Sequence, residues 1–220
     1  MIVSITDDFN LDRIADSGQC FRWHKTGERA YRIIAGEACL TISSQGENRY
    51  ELDCTERDFD EFWRDYFDLR EDYRSIRRRV DPGQDPFLCQ AMEHEKGIRI
   101  LRQDPWEMLI TFIISQNKNI PMIRRSVELL SECCGRKLTD SKGQEYFGFP
   151  EPAAVAALSE EDLAACRLGY GRDEHLVTLD AARADGPADI GFVEVRRRRV
   201  DVAAAARERE SNSQIGRAHV

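Results

Sequence analysis

Apolar and polar positions along the first third of the chain alternate in short runs. Aromatic and aliphatic side chains recur in residues 19–23, 30–35, 38–43 and 49–52, punctuated by Gly27, Gly36 and Gly46. That pattern predicts four short strands in an antiparallel meander. A lead-in of 14 residues and a turn at Ser17-Gly18 precede it. The period then changes. Phe59, Phe62, Trp63 and Tyr66 fall on one stripe of a predicted helix over 56–66, a pattern that marks core more often than a binding surface. A basic helix over 73–79 follows, Pro82-Gly83 breaks the chain, and a short helix is expected over 86–92.

The segment 103–125 reads QDPWEMLITFIISQNKNIPMIRR. Asp104 before Pro105 is a helix start with a cap and a first-turn proline. Residues 106–114 are almost continuously apolar, as in a helix with neighbours on nearly every side. Asn119 is a good N-cap for a second helix, with Pro121 in the first turn, where a missing N–H costs little. Ile120, Ile123, Val127 and Leu130 recur at helical spacing. Five polar residues, 115–119, separate the two helices. They form either a solvated turn or a set of side chains that enters something polar, such as a DNA duplex. Further on come an aromatic loop at 145–150, Ala-rich helices over 152–158 and 160–166 with Ser159 as a cap, a turn at Gly169-Tyr170-Gly171, and a helix over 172–183. Strands first and helices after define an α+β protein: an N-terminal antiparallel sheet domain over 1–95, then an all-α domain over 96–190.

Composition narrows the function classes. No apolar run reaches the ~18 residues of a membrane span, and Asp7 and Asp8 interrupt any leader pattern, so a cytoplasmic protein is expected. The seven cysteines are odd in number and lack zinc-ligand spacing, which suits reduced thiols; Cys133-Cys134 reads as packing. The four histidines share no motif, so no metal site is expected. A formal charge of −8 argues against a broad nucleic-acid coat but leaves room for a local basic groove.

Four islands in order carry a family resemblance: SGQCFRW at 17–23, GIRILRQDPWE at 97–107, FIISQNKNI at 112–120, and the pair EYFGFP and LGYGR at 145–150 and 168–172. In these the chain resembles the 8-oxoguanine DNA glycosylases of the helix-hairpin-helix superfamily. The resemblance implies base-excision repair: a damaged nucleotide is flipped out of double-stranded DNA and read in a pocket. It implies a backbone carbonyl at Gly18 facing the N7–H that 8-oxoguanine has and guanine lacks, glycine being the residue that lets backbone approach a base closely. It implies Asn117 in the space left by the flipped base and in contact with the orphaned partner, with Asn119 as a further DNA-binding residue, and Arg172, a planar multi-donor fork, at the same opening. The wedge tyrosine directly precedes that arginine in the family; here Gly171 stands between Tyr170 and Arg172. Met122 stands where some members carry an arginine that reads the opposing cytosine, so strict preference for cytosine is not expected.

The implied nucleophile is a lysine that forms a Schiff base with the sugar, assisted by a later aspartate. No lysine follows Lys142, so neither catalytic residue can be assigned in this chain. No cofactor is implied, and the complete protein is expected to be a monomer. Residues 215–220 back-translate into the opening of a common sequencing-adapter oligonucleotide, and 191–214, with four arginines at 196–199, fits the family poorly. The expectation is a gene fragment read into adapter, with 191–214 either divergent or frameshifted. Two alternatives stay open: a non-catalytic damaged-DNA-binding module, and a glycosylase for alkylated bases.

Overall fold

The computed structural model describes residues 1–116 and 118–168, together with the backbone of 175–181 and 193–199. The chain forms two compact units, Met1–Pro150 and Glu151–Val220.

The first unit is built on a five-stranded antiparallel sheet in the order β1-β5-β4-β3-β2, from β1 (Ile2–Ser4), β2 (Trp23–Gly27), β3 (Ala30–Ala35), β4 (Ala38–Gly46) and β5 (Arg49–Leu52). Three predicted strands form where expected, β4 running three residues further. Residues 19–22 do not: only Trp23 enters a strand, because Gln19 spends its side chain on backbone of the segment 99–101 instead of leaving a ladder edge open. The lead-in also carries structure, β1 and the helix α1 (Leu11–Asp16), whose N-cap Asn10 accepts from the Arg13 N–H. Gly97 must be glycine there. Its φ is +100°, and an added Cβ would lie 2.7 Å from the Asn10 Cβ.

Side chains alternate across each strand, and one face is covered. Tyr31 and Ile33 of β3, Leu40 and Ile42 of β4, and Tyr50 and Leu52 of β5 pack with Leu11 and Ile14 of α1 and with Phe59, Trp63, Tyr66 and Phe67. Those aromatics come from one continuous helix: α2 (Glu56–Asp58), a π-helical turn (Phe59–Trp63) and α3 (Arg64–Tyr66). The predicted stripe is core except Phe62, which is 41% exposed. Phe9 meets Tyr50 and Phe67 edge-on at 5.0 and 5.3 Å, and the Trp23 indole donates to the Tyr66 hydroxyl at 2.9 Å. Each such side chain contributes about 1.5–3 kcal/mol through burial, with edge-to-face pairing adding a further ~0.5–1.5 kcal/mol.

Two short helices come next in the chain, α4 (Tyr73–Arg77) and α5 (Pro86–His94). The packed pair α6 (Pro105–Ser115) and α7 (Ile120–Cys134) follows. Asp104 caps α6 and Asn119 caps α7, each as the sequence predicts, accepting from the Glu107 and Met122 N–H groups. The Glu107 carboxylate reaches back to accept the Gly36 N–H at 2.8 Å. Burial raises its pKa, against that hydrogen bond. The segment at 145–150, read as loop, is in part a strand: β6 (Lys137–Thr139) pairs with β7 (Glu145–Phe147), and Arg32 holds their turn through Asp140 at 2.9 Å. Cys134 is half-buried but Cys133 is exposed, so only one of the pair packs.

Among the described residues the apolar surface of α6 is only partly covered. Ile110 and Ile114 are buried, whereas Met108 and Phe112, one turn apart on the other face, are 48% and 65% exposed. Ile120 and Met122 of α7 are about half exposed as well.

In the second unit, α8 (Pro152–Ala156) and α9 (Glu160–Ala165) form as predicted, α9 with a complete capping box between Ser159 and Asp162. The helix expected over 172–183 is replaced by a strand, β8 (His175–Ala181), antiparallel to β9 (Val193–Arg199). Val177 and Thr178 are β-branched and favour the strand. A pairing partner 18 residues on is a non-local fact that helical periodicity cannot register.

Candidate functional site

Gly18 follows α1 in a tight turn. Its φ is +80° and the space around it is open, so a Cβ would meet nothing within 4 Å. Conformation, not crowding, therefore requires glycine here. The residue is exposed, and among the described residues no hydrogen bond reaches its carbonyl oxygen. The turn is held from both sides. Ser17 Oγ donates to the Ile14 carbonyl at 2.7 Å. Gln19 donates to the Arg99 carbonyl and accepts the Leu101 N–H, both at 2.8 Å, while Gln103 donates to the Gln19 carbonyl at 2.6 Å. An exposed glycine is thus carried on a clamped loop, so its backbone can meet a ligand edge with little ordering cost.

Arg99, which anchors the far side of that clamp, is 1% exposed. It donates to the carbonyls of Asp7, Asp8 and Asp68 at 2.8–3.1 Å and to the Asp7 carboxylate at 2.8 Å, with its guanidinium 4.3 Å from the Tyr73 ring centroid. A buried charge so fully satisfied is structural.

The same loop is pinned to α7. Arg22 is 2% exposed; its Nε and Nη2 donate to the two Glu128 oxygens at 3.2 and 3.3 Å, and Nη2 donates to the Phe147 carbonyl at 2.6 Å. His24 Nε2 lies 3.2 Å from Glu128 Oε1. Burial pushes the Glu128 carboxyl up, but the His24 hydrogen bond and the Arg22 charge and hydrogen bond outweigh it and bring it down to about 2. Arg22 and Glu128 are 106 residues apart, and neither was singled out as a site residue. The signal for Arg22 was its place inside SGQCFRW; Glu128 had none.

Of the residues expected at the site, the structure places Gly18 and Asn119. Asn117, Tyr170 and Arg172 lie outside the described residues. Asn119 is exposed and its Oδ1 is engaged as the α7 N-cap at 3.0 Å from the Met122 nitrogen, which leaves its NH2 group as the part able to meet a ligand. Met122 is half exposed on the same first turn. Lys118 turns inward, its Nζ 3.3 Å from Ser126 Oγ, and burial lowers its pKa. Among the described residues no group of three or more His, Cys, Asp or Glu could hold a metal, and no helix is long and apolar enough to cross a membrane. A wide cleft of about 550 Å³ has Asp53, Asp58, Glu61 and Asp140 among its lining residues; four carboxylates oppose a phosphate there.

This combination of a five-stranded sheet, a helix pair and a clamped glycine turn is similar in fold to solved 8-oxoguanine glycosylases. The apo structure of the Clostridium acetobutylicum 8-oxoguanine glycosylase/lyase matches with a TM-score of 0.70 and 38% identity, over 76% of this chain and 58% of that one. The same enzyme in complex with dsDNA containing cytosine opposite to 8-oxoG matches with a TM-score of 0.68 and 37% identity, over 77% of this chain and 60% of that one. Residues 1–109 match the model of the family described as 8-oxoguanine DNA glycosylase, N-terminal domain, and this part of the chain belongs to that family. A curated relative, the N-glycosylase/DNA lyase OGG1 of Arabidopsis thaliana, is 30% identical over 177 residues, 76% of this chain and 47% of its own length. The chain spans about half the length of the curated relatives it matches first.

Proposed function

We propose that this chain carries the lesion-reading part of an 8-oxoguanine DNA glycosylase/lyase acting as a monomer on double-stranded DNA that contains an oxidised purine. The observation that carries the proposal is the Gly18 turn: an exposed left-handed glycine whose carbonyl takes no hydrogen bond among the described residues, on a loop fixed to two other segments. The carbonyl accepts a hydrogen bond from N7–H of 8-oxoguanine and opposes the N7 lone pair of guanine. Asn117 fills the vacated space, Asn119 and Arg172 stand at the same opening, and Tyr170 is the wedge candidate. Base-edge bonds lost by the orphaned partner are replaced by amide and guanidinium donors. Met122 in the first turn of α7 offers that partner no hydrogen bond, in keeping with a relaxed choice of opposing base. An alkylated base has no N7–H for Gly18 to meet, which places the oxidised purine ahead of it.

Excision in this family reading runs through a lysine amine that attacks the anomeric carbon. This 220-residue chain has no lysine after Lys142, and that observation favours binding without excision for the chain as it stands. Fluorescence anisotropy with an 8-oxoguanine duplex and its guanine counterpart is the test. Tighter binding of the lesion duplex, with the difference reduced in Gly18→Ala, is expected. Equal affinity for the two duplexes in the wild type defeats the proposal.

A further inference from the structure

One cation beside the Gly18 turn is left over by everything described so far. On α7 the positions 120, 124 and 128 fall one above another at four-residue spacing. Glu128 is the residue that grips Arg22. Arg124 lies one helical turn, about 5.4 Å, nearer the N-terminus of α7. The loop climbs the same way: the Arg124 charge acts on the thiol of Cys20, drawing it down while burial pushes it up to about 12. Gly18 is two residues beyond Cys20, and the Asn119 cap is little more than one turn beyond Arg124. Arg124 therefore stands between the lesion-reading turn and the α6–α7 turn. Its neighbour Arg125 is exposed on another face.

Arg124 is also unmatched. Among the described residues it makes no ion pair, and its Nε is buried without a hydrogen-bond partner. Arg22 and Arg99, the buried arginines nearby, are committed to carboxylates at 3.2 and 2.8 Å. In a chain of net charge −8 a guanidinium uncommitted among the described residues, between two segments assigned above to the nucleotide, is suited to a ligand of opposite charge. Its donors form a planar fork that fits an oxyanion with two parallel bonds, and extruding a nucleotide carries its flanking phosphates toward the protein.

We propose that Arg124 binds a backbone phosphate flanking the flipped nucleotide. This rests on the lesion-reading function proposed above. The test is anisotropy between 50 and 200 mM salt with two duplexes, one carrying 8-oxoguanine and one a tetrahydrofuran abasic analogue, which keeps the phosphates and lacks the base. Arg124→Ala is expected to weaken binding of both to a similar degree and to lower the slope of log K against log salt by about 1. Arg124→Lys, which keeps the charge and loses the fork, is expected to restore the slope and only part of the affinity. An unchanged slope in Arg124→Ala overturns the proposal, as does a loss confined to the 8-oxoguanine duplex, which would put the contact on the base. If the wild type binds lesion and guanine duplexes alike while Arg124→Ala still lowers the slope, Arg124 keeps its phosphate and the lesion reading fails alone. If the wild type binds neither duplex, both fail.

Discussion

Glu128 is where the sheet side of the molecule can be uncoupled from α7 by one atom's change. Its carboxyl moves from an ordinary 4.5 to about 2 on folding. A lowered folded-state value stabilises the fold fully above the unfolded value, and that stabilisation is lost as pH falls through 4.5 toward 2. A difference of roughly 2.5 units is worth about 3 kcal/mol, and the side chain, only 23% exposed, is little screened. Removing one partner of a buried pair costs a similar ~3–5 kcal/mol. Here the guanidinium left behind already has one buried nitrogen, Nη1, without a partner among the described residues. Glu128→Ala is therefore expected to lower stability at pH 7 by about 3 kcal/mol, or roughly 6–12 °C in Tm for a chain of this size. Glu128→Gln, which keeps an acceptor for Arg22, should lose less. Urea denaturation of the wild type and Glu128→Gln at pH 7, 5 and 3 isolates the effect, because every other carboxylate titrates in both proteins. The gap between them should close as pH falls from 5 to 3. Parallel stability curves over that range, or a loss below about 1 kcal/mol in Glu128→Ala, would show that Arg22 does not depend on Glu128 and that the loop is held by its other contacts. The double substitution Arg22→Met, Glu128→Met should recover much of the loss.

Four further outcomes are expected. Gly18→Ala should cost about 1–2 kcal/mol of stability from its left-handed backbone alone, read by thermal melting, since nothing crowds the added methyl group. Asn119→Ala should lose about 1 kcal/mol with the α7 cap, visible as faster hydrogen exchange at the start of that helix. Borohydride should trap no covalent adduct between this chain and 8-oxoguanine DNA; an adduct would reveal an amine nucleophile among the lysines up to Lys142. Limited proteolysis should leave a resistant core ending near Pro150, the boundary of the first compact unit; early cuts within α6 or α7 would mean that the exposed Met108 and Phe112 face loosens both helices.

The amino-acid sequence determined the local elements whose cause is local. Asp104 and Asn119 cap their helices because a short acceptor side chain beside a first-turn proline needs no tertiary help. β3 and β5 form where β-propensity and alternation place them. Gly18 was legible as a turn glycine, and the motif around it as a resemblance. What the tertiary structure alone decided is everything that depends on a distant partner. Residues 19–22 have a strand-like pattern and become a clamped bend, since Gln19 finds the backbone of 99–101 across the fold. The segment 175–181 pairs as a strand with 193–199 and gives up helical periodicity. The apolar helix α6 leaves Met108 and Phe112 exposed, because exposure depends on what packs against each face. The Arg22–Glu128 pair that ties the glycine turn to α7 spans 106 residues. Periodicity and propensity act over one or two turns of chain, whereas buried charges are matched only once the fold has brought their partners together.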